Sequence, residues 1–320
     1  MSKNPKVAQE LWSSYIIEKL WRTNPHLNLC VDESKHVKGG SIVYIPQAGA
    51  KPNVVKNRPS LPAVAIQRGD KVISYALDVF STDPTVITWE EGMEISYNKT
   101  DSVLGDHVNT LVESVGDEML FNWVRGFKPT QGGGTAVDYL PVSKQIKTSG
   151  PATEVNAVDG QTGQRKAFHY KDVQKAQAMM NKDNVSKVER YGILESNMLQ
   201  EFIDSLSSNQ MAAFQGSADL ENGVVGKFAG FTFLERSFVL GFGADNNPII
   251  PGQALSATDN LGALFWQKDS VAKSLGDTLL FQDMGNPLYY GDIHSGVVKS
   301  GGRCRREDWR GVISIVQSAI

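Results

Sequence analysis

Histidine and cysteine are the residues best suited to hold a metal or to act as nucleophile and base, and this chain carries five of the first and two of the second. His26, His36, His107, His169 and His294 stand far apart. None is paired with a second ligand at the helical spacing that places two imidazoles on one metal. Cys30 and Cys304 are too few and too isolated for a disulfide framework or a zinc site, and fit a reducing compartment. No Gly-x-Ser-x-Gly elbow is present. Gly132-Gly133-Gly134-Thr135 follows Lys128-Pro129, and no Lys-Ser/Thr closes it as a phosphate loop, so it reads as a connector. Asp106-His107 falls in a helical pattern, where packing or solvation accounts for the histidine. Arg303, Arg305, Arg306 and Arg310 could touch phosphate, but Glu307 and Asp308 lie among them and local pairing is the default. No catalytic, cofactor-binding or metal site is predicted, and the chain is not expected to be an enzyme.

The strongest chemical signal is electrostatic. Residues 38–69 contain no Asp or Glu, in a chain with 35 of them. The same stretch carries Lys38, Lys51, Lys56, Arg58 and Arg68, stiffened by Pro46, Pro52, Pro59 and Pro62. Its complement follows in Glu90, Glu91, Glu94 and Asp101, then Asp106, Glu113, Asp117 and Glu118. A basic arm and an acidic spine in one chain predict self-association in which Lys51, Lys56, Arg58 and Arg68 of one copy meet Glu90, Glu91, Glu94 and Asp101 of another. Ordinary solvated faces are the alternative reading of the same charges.

These charges must be positioned by secondary structure. Ser41–Ile45 reads as a strand, and Ile73, Tyr75, Leu77 and Val79 alternate with smaller or polar residues as a second. Together they predict an extended hairpin, which is marginal in water by itself and needs a surface to lie on. Before it, Asn4 and Pro5 open a helix ended by Asn24-Pro25, with Ala8, Leu11, Trp12, Tyr15, Ile16 and Leu20 as its stripe. After it, Leu104, Val108, Leu111, Val115, Met119 and Trp123 predict a helix over 98–124, on the order of 40 Å long. Gly105 and Gly116 lie inside that helix, where each costs about 1 kcal/mol relative to Ala. They imply either a bend or a close neighbour.

Residues 126–165 read as irregular connection with short strands. Beyond them the pattern is mixed. Helices are predicted at 170–181 and 196–206, and strands at 190–194, 228–234 and 263–266. A further helix is predicted from a cap at Asp269 through Val271, Ala272 and Leu275 to Gly276. Asn286–Asp292 reads as a turn, Arg303–Arg310 as surrounding a hairpin turn, and Val312–Val316 as a buried strand.

With 320 residues, 41% of them hydrophobic, the chain can bury a large core. Its net charge of −3 gives no global attraction to nucleic acid or anionic membrane. No apolar run approaches a membrane span and no signal-peptide core is present, so the expectation is a soluble protein made in a cytoplasm.

The order of arm, extended hairpin, long helix, mixed unit and returning strand resembles the major capsid proteins of tailed bacteriophages, a fold shared with encapsulin shells. Val188-Glu189-Arg190-Tyr191-Gly192-Ile193-Leu194 and the helix after it are similar to the opening of that family's axial domain. Gly226–Ser237, with its Gly-Phe-x-x-x-x-x-Ser pattern, and Leu288–Asp308 with its closing strand carry the rest of the resemblance. It implies an α+β fold with an N-terminal arm (1–36), an extended hairpin loop (37–88), a peripheral domain with the spine helix (89–165 and 286–320) and an axial domain (166–285). It implies hexamers and pentamers tiling an icosahedral shell around double-stranded DNA, met by weak non-specific contact, in a virion assembled in the host bacterial cytoplasm. A separate scaffolding protein and a portal are the expected partners, with no cofactor and no membrane. Some members cross-link a loop lysine, but nothing local marks Lys51 or Lys56 as reactive. An encapsulin-like compartment and an α/β enzyme of unknown activity are the alternatives.

Overall fold

The computed structural model describes residues 15–16, 18–20, 23–38, 42–47, 54–57, 65, 67, 69, 71–88, 90, 99–129, 135–153, 164–219 and 223–320. Of the expected first helix, 15–16, 18–20 and 23 are helical, with Ile16 and Leu20 buried and Tyr15 exposed. Its opening at Asn4 and Pro5, and Ala8, Leu11 and Trp12, lie outside the described residues.

The expected hairpin is present. Strands β1 (Ile42–Gln47) and β2 (Lys71–Ala76) pair antiparallel from Ile42 opposite Ala76 to Gln47 opposite Lys71. Val43 and Tyr75, directly opposite, are its buried pair. The alternation expected as one strand through Val79 instead breaks at buried Leu77. Strand β3 (Asp78–Ser81) belongs to a different sheet, as does β4 (Thr85–Thr88).

Helix α1 (Lys99–Val124) follows, one residue from the expected start. Leu104, Val108, Leu111, Val115, Met119 and Trp123 are all buried, so the spacing of three and four is the buried face. It passes directly into Arg125–Pro129, paired with Thr135–Tyr139. Next come β5 (Gln145–Lys147), α2 (Tyr170–Lys182), β6 (Arg190–Glu195), α3 (Ser196–Ser205) and α4 (Ser208–Gln215). Glu195 starts α3 by accepting from the backbone N–H groups of Asn197 and Met198 at 2.9 and 3.1 Å.

The single strand expected at 228–234 is two, β7 (Val224–Phe228) and β8 (Phe231–Arg236). Ala229 and Gly230 between them both take positive φ, 49° and 78°, the two-residue turn that matches strand twist. Strands β9 (Leu240–Phe242) and β10 (Asn260–Gln267) lead to β11 (Val271–Asn286), β12 (Gly291–Cys304) and β13 (Val312–Val316).

The helix expected after Asp269 is therefore a strand. Only Lys268–Ser270 makes a helical turn, and its cap is Gln267, whose side chain accepts from Asp269 N–H at 3.0 Å. Residues 271–274 are buried on both strand faces, which removes the alternation that marks a strand in sequence. Nor is 303–310 a hairpin turn. It crosses from β12 in one sheet to β13 in another, with Trp309 and Gly311 at positive φ.

Two sheets organise the described residues. The larger has the order β7-β8-β6-β10-β13-β5, with β9 also on β10, and β6 runs parallel to β8. Residues 312–316 thus pair inside the sheet made by 190–267, and β13 is buried throughout. Helices α2 and α3 cover it through a phenylalanine cluster in which Phe202 stacks on Phe233 at 5.2 Å and meets Phe214 and Phe228 edge-on. The second sheet is centred on the long ribbon of β11 and β12, with β3 and β4 along β12 and Val31–Asp32 along β11. Residues 271–285, expected with the axial part, belong to this ribbon.

Helix α1 lies on the ribbon because glycines make room for it. A methyl at Gly296 would meet Leu111 at 2.9 Å, and one at Gly302 would meet Met119 and Trp123. Both positions face α1, six residues apart on the period-two face of β12. Trp123 then packs at a tilt on Trp266 of the larger sheet, ring centroids 5.2 Å apart, so one core joins α1 to both sheets.

Candidate assembly surface

The base of the hairpin is riveted to the body. Buried Tyr75 on β2 donates to Glu33 Oε2 at 3.3 Å, and Arg305 Nε donates to Glu33 Oε1 at 2.9 Å. Arg305 also reaches the Asp269 carbonyl at 3.1 Å, and Arg303 holds the Ser74 carbonyl at 3.0 Å. Burial raises the Glu33 carboxyl above its usual range, although Arg305 pulls it the other way. Burial likewise lowers the Arg303 guanidinium. A charged group buried this way is retained only where partners compensate its desolvation, and here the partners tie the hairpin to the C-terminal segment. The arginines expected to pair at a local turn therefore divide. Arg306 and Arg310 do pair with Asp308, while Arg303 and Arg305 fix the hairpin.

Of the residues expected in subunit contact, Lys56 is exposed, beside Val54 at 89% exposure. Lys51, Arg58 and Arg68 lie outside the described residues, as do Glu91 and Glu94. Glu90 is exposed, and Asp101 lies in the first turn of α1. Further along α1, Asp106 and Glu113 are exposed. Asp117 is not free for a neighbour, because Arg236 binds its Oδ1 through Nε at 3.0 Å and Nη2 at 2.7 Å. Glu118 is half-buried, and burial, reinforced by Asp78, pushes its carboxyl up. What remains is an open groove of about 640 Å³ between β3 and α1, lined by Val79, Asp83, Asp106, His107, Thr110 and Ser114.

Gly116 resolves into close approach. Asn24 Nδ2 donates to the Val112 carbonyl at 2.9 Å, and the Asn24 side-chain oxygen accepts from Arg236. His26 Nε2 sits 3.3 Å from the Gly116 carbonyl. A methyl at 116 would lie 2.8 Å from Asn24 Cγ and 2.9 Å from Arg236 Nη2. The N-terminal segment and β8 thus meet on the spine helix at the one turn where a side chain would block them. Gly105 has open space around it.

Sequence reasoning missed a group of exposed apolar side chains on the ribbon. The far half of the ribbon presents Leu279, Phe281, Met284, Leu288, Tyr289 and Tyr290, with Leu288 and Tyr290 more than 80% exposed. The signal was present in Leu288-Tyr289-Tyr290 beside a turn, an apolar cluster where turns are ordinarily polar.

No protein-family model and no curated protein matches the chain. Its structure is nevertheless similar to solved ones over nearly the whole length. The capsid of Ralstonia phage GP4 matches at 12% identity and a TM-score of 0.60, covering 91% of this chain and 87% of that one. The Cyanophage Pam1 capsid matches at 9% identity and 0.59, covering 90% and 88%. A chain of Mycobacterium phage Che8 matches at 15% identity and 0.56, covering 90% and 89%. Matching those capsid structures over about nine-tenths of its length, the chain has the capsid fold of tailed phages.

Proposed function

We propose that this chain is a major capsid protein that self-assembles into hexamers and pentamers of an icosahedral shell enclosing double-stranded DNA. The observation that carries the reading is the capsid fold spanning about nine-tenths of the chain and of its structural neighbours alike. Two features of this chain support it. Its hairpin is fastened at the base while Lys56 and Val54 stand exposed far from that base in sequence, and its ribbon ends in an apolar patch that water disfavours. The role is structural rather than enzymatic.

In this reading the parts are the arm (1–36), the extended loop (37–88), a peripheral domain that holds α1 and the ribbon of β11 and β12, and an axial domain that holds α2, α3 and the larger sheet with β13. The basic residues Lys51, Lys56, Arg58 and Arg68 of one subunit lie against Glu90, Glu91, Glu94 and Asp101 of the next, with Asp106 and Glu113 continuing the acidic track. A scaffolding protein and a portal are its partners during assembly in the host cytoplasm. Packaged DNA is met weakly, in keeping with a net charge of −3.

Electron microscopy and sedimentation of the purified protein test the proposal. Rings or closed shells are expected. Compact monomers across a broad range of protein and salt concentration would overturn it.

A further inference from the structure

Where α1 meets the ribbon, two buried histidines have little to bond to, His294 inside the joint and His107 at the floor of the open groove. His294 on β12 is 1% exposed, and among the described residues neither ring nitrogen has a hydrogen-bond partner. His107 on α1 is buried, its Nε2 likewise unpartnered and its Nδ1 2.8 Å from Thr82 Oγ1. Thr82 in turn clasps β12, donating its backbone N–H to the Gly296 carbonyl at 3.0 Å and accepting the Gly296 N–H on Oγ1 at 2.9 Å. A buried polar atom without a partner is costly and uncommon, and three in one joint call for a reason.

We propose that His107, Thr82 and His294 form a proton-operated latch between the spine helix and the long ribbon, closed when both imidazoles are neutral and released by acid.

The hydrogen-bond geometry sets the closed state. Thr82 Oγ1 already accepts from Gly296, so its own proton goes either to His107 Nδ1 at 2.8 Å or to the Gly296 carbonyl at 3.5 Å. In the tautomer protonated on Nε2 the proton goes to His107 Nδ1, the shorter contact. Protonating His107 turns Nδ1 into a donor. The Thr82 hydroxyl must then rotate toward the more distant carbonyl, and the imidazolium Nε2 is left without a hydrogen-bond partner among the described residues. His294 is close enough for the two cations to repel.

The charged groups around the pair do not offset this. Asp106 on α1 favours a charged His107, and Asp292 on β12 favours a charged His294. Asp106 and Asp83 on the β3–β4 connection are exposed and screened by solvent. Asp283 on β11 is exposed and accepts from Asn286. The registers opposite His294 hold neutral Gln282 and Thr85. Burial dominates and holds both histidines below their ordinary range. With the folded values depressed, the latch is fully closed above the ordinary histidine value of about 6.5, and its contribution is lost as pH falls below that.

The test is hydrogen–deuterium exchange on the full chain at about pH 7.5 and pH 5.0, corrected for intrinsic rates, together with histidine C2 exchange to titrate each imidazole. Protection in 104–111 and 291–298 is expected to fall about tenfold or more beyond any change in 190–195 and 260–267 at the lower pH. In H107Q/H294Q the segment-specific loss is expected to disappear. A uniform loss of protection, or an unchanged loss in the double variant, would overturn the latch. Should that variant not fold, the parent still decides. Titration of His294 and His107 below 6.5 supports the proposal, and titration at or above 6.5 overturns it.

Discussion

Trp123 donates its indole N–H to the carbonyl of Ala272 at 3.1 Å, tying the last turn of the spine helix to the start of the long ribbon. The same ring is fully buried against Trp266, whose own N–H reaches the Leu29 carbonyl at 2.9 Å. Helix, ribbon, larger sheet and N-terminal segment therefore share one pair of indoles. W123F is expected to lose about 1 kcal/mol of stability through the missing hydrogen bond. W123A should lose about 3–5 kcal/mol through the cavity. Denaturant midpoints measure both, and equal effects of the two substitutions would show that the ring does not pack as described.

The two glycines of α1 should part company. Gly105 has open space, so G105A should stabilise the helix by up to about 1 kcal/mol. Gly116 faces Asn24 and Arg236, so G116A should destabilise by about 1–3 kcal/mol through overpacking. Thermal melts of the separate mutants check this, and the same sign at both positions would contradict it.

Acid should loosen the arm. Burial, assisted by Arg236, lowers His26 to about 3. Below about 6.5 the unfolded chain binds a proton there that the folded chain refuses, so stability is full above that value and declines as pH falls toward about 3. H26Q keeps a donor for the Gly116 carbonyl but cannot titrate. Between pH 7.5 and pH 5.0 the parent should lose about 2 kcal/mol more than H26Q. Urea midpoints at the two pH values decide, and identical losses would remove His26 as a source of acid sensitivity.

Charge reversal at Lys51, Lys56 and Arg58 to Glu should weaken assembly and flatten its salt dependence, since exposed pairs are screened over about 8 Å at physiological salt. Adding D106K and E113K should restore part of the assembly. Light scattering against salt reads both effects. Assembly of the triple reversal like the parent at low salt would rule out charge docking.

Replacing Leu288 and Tyr290 with Ser should leave monomer stability within about 0.5 kcal/mol, as both are exposed. The same change should abolish or misdirect assembly. Normal particles in micrographs would show that the ribbon tip is not an interface.

The spine helix was legible within a residue because six apolar side chains at helical spacing all bury on one side. The ribbon was not, for the opposite reason. Residues 271–274 are buried on both faces, so Val271, Ala272 and Leu275 mimic a helical stripe. Its partner strand is rich in glycine, a poor strand former, because Gly296 and Gly302 make room for α1. Lys56 and Glu90 are exposed, as their charge leads one to expect, but pairing within the chain was not legible. That Asp117 is taken by Arg236, 119 residues away, depends on tertiary proximity that no local pattern records.

The long ribbon also behaves as a lever. Glycine packing on α1 holds it as far as Gly296, opposite Leu280 and past the β-bulge between Leu275 and Thr278. From Leu280 to Asn286 the strand extends roughly 20 Å at about 3.3 Å per residue. A tilt of about 10° at Leu280 would move the apolar tip by roughly 3–4 Å over that arm. Small adjustments beside the spine helix would thereby be magnified at Leu288 and Tyr290, leaving the core packing on Trp123 unchanged.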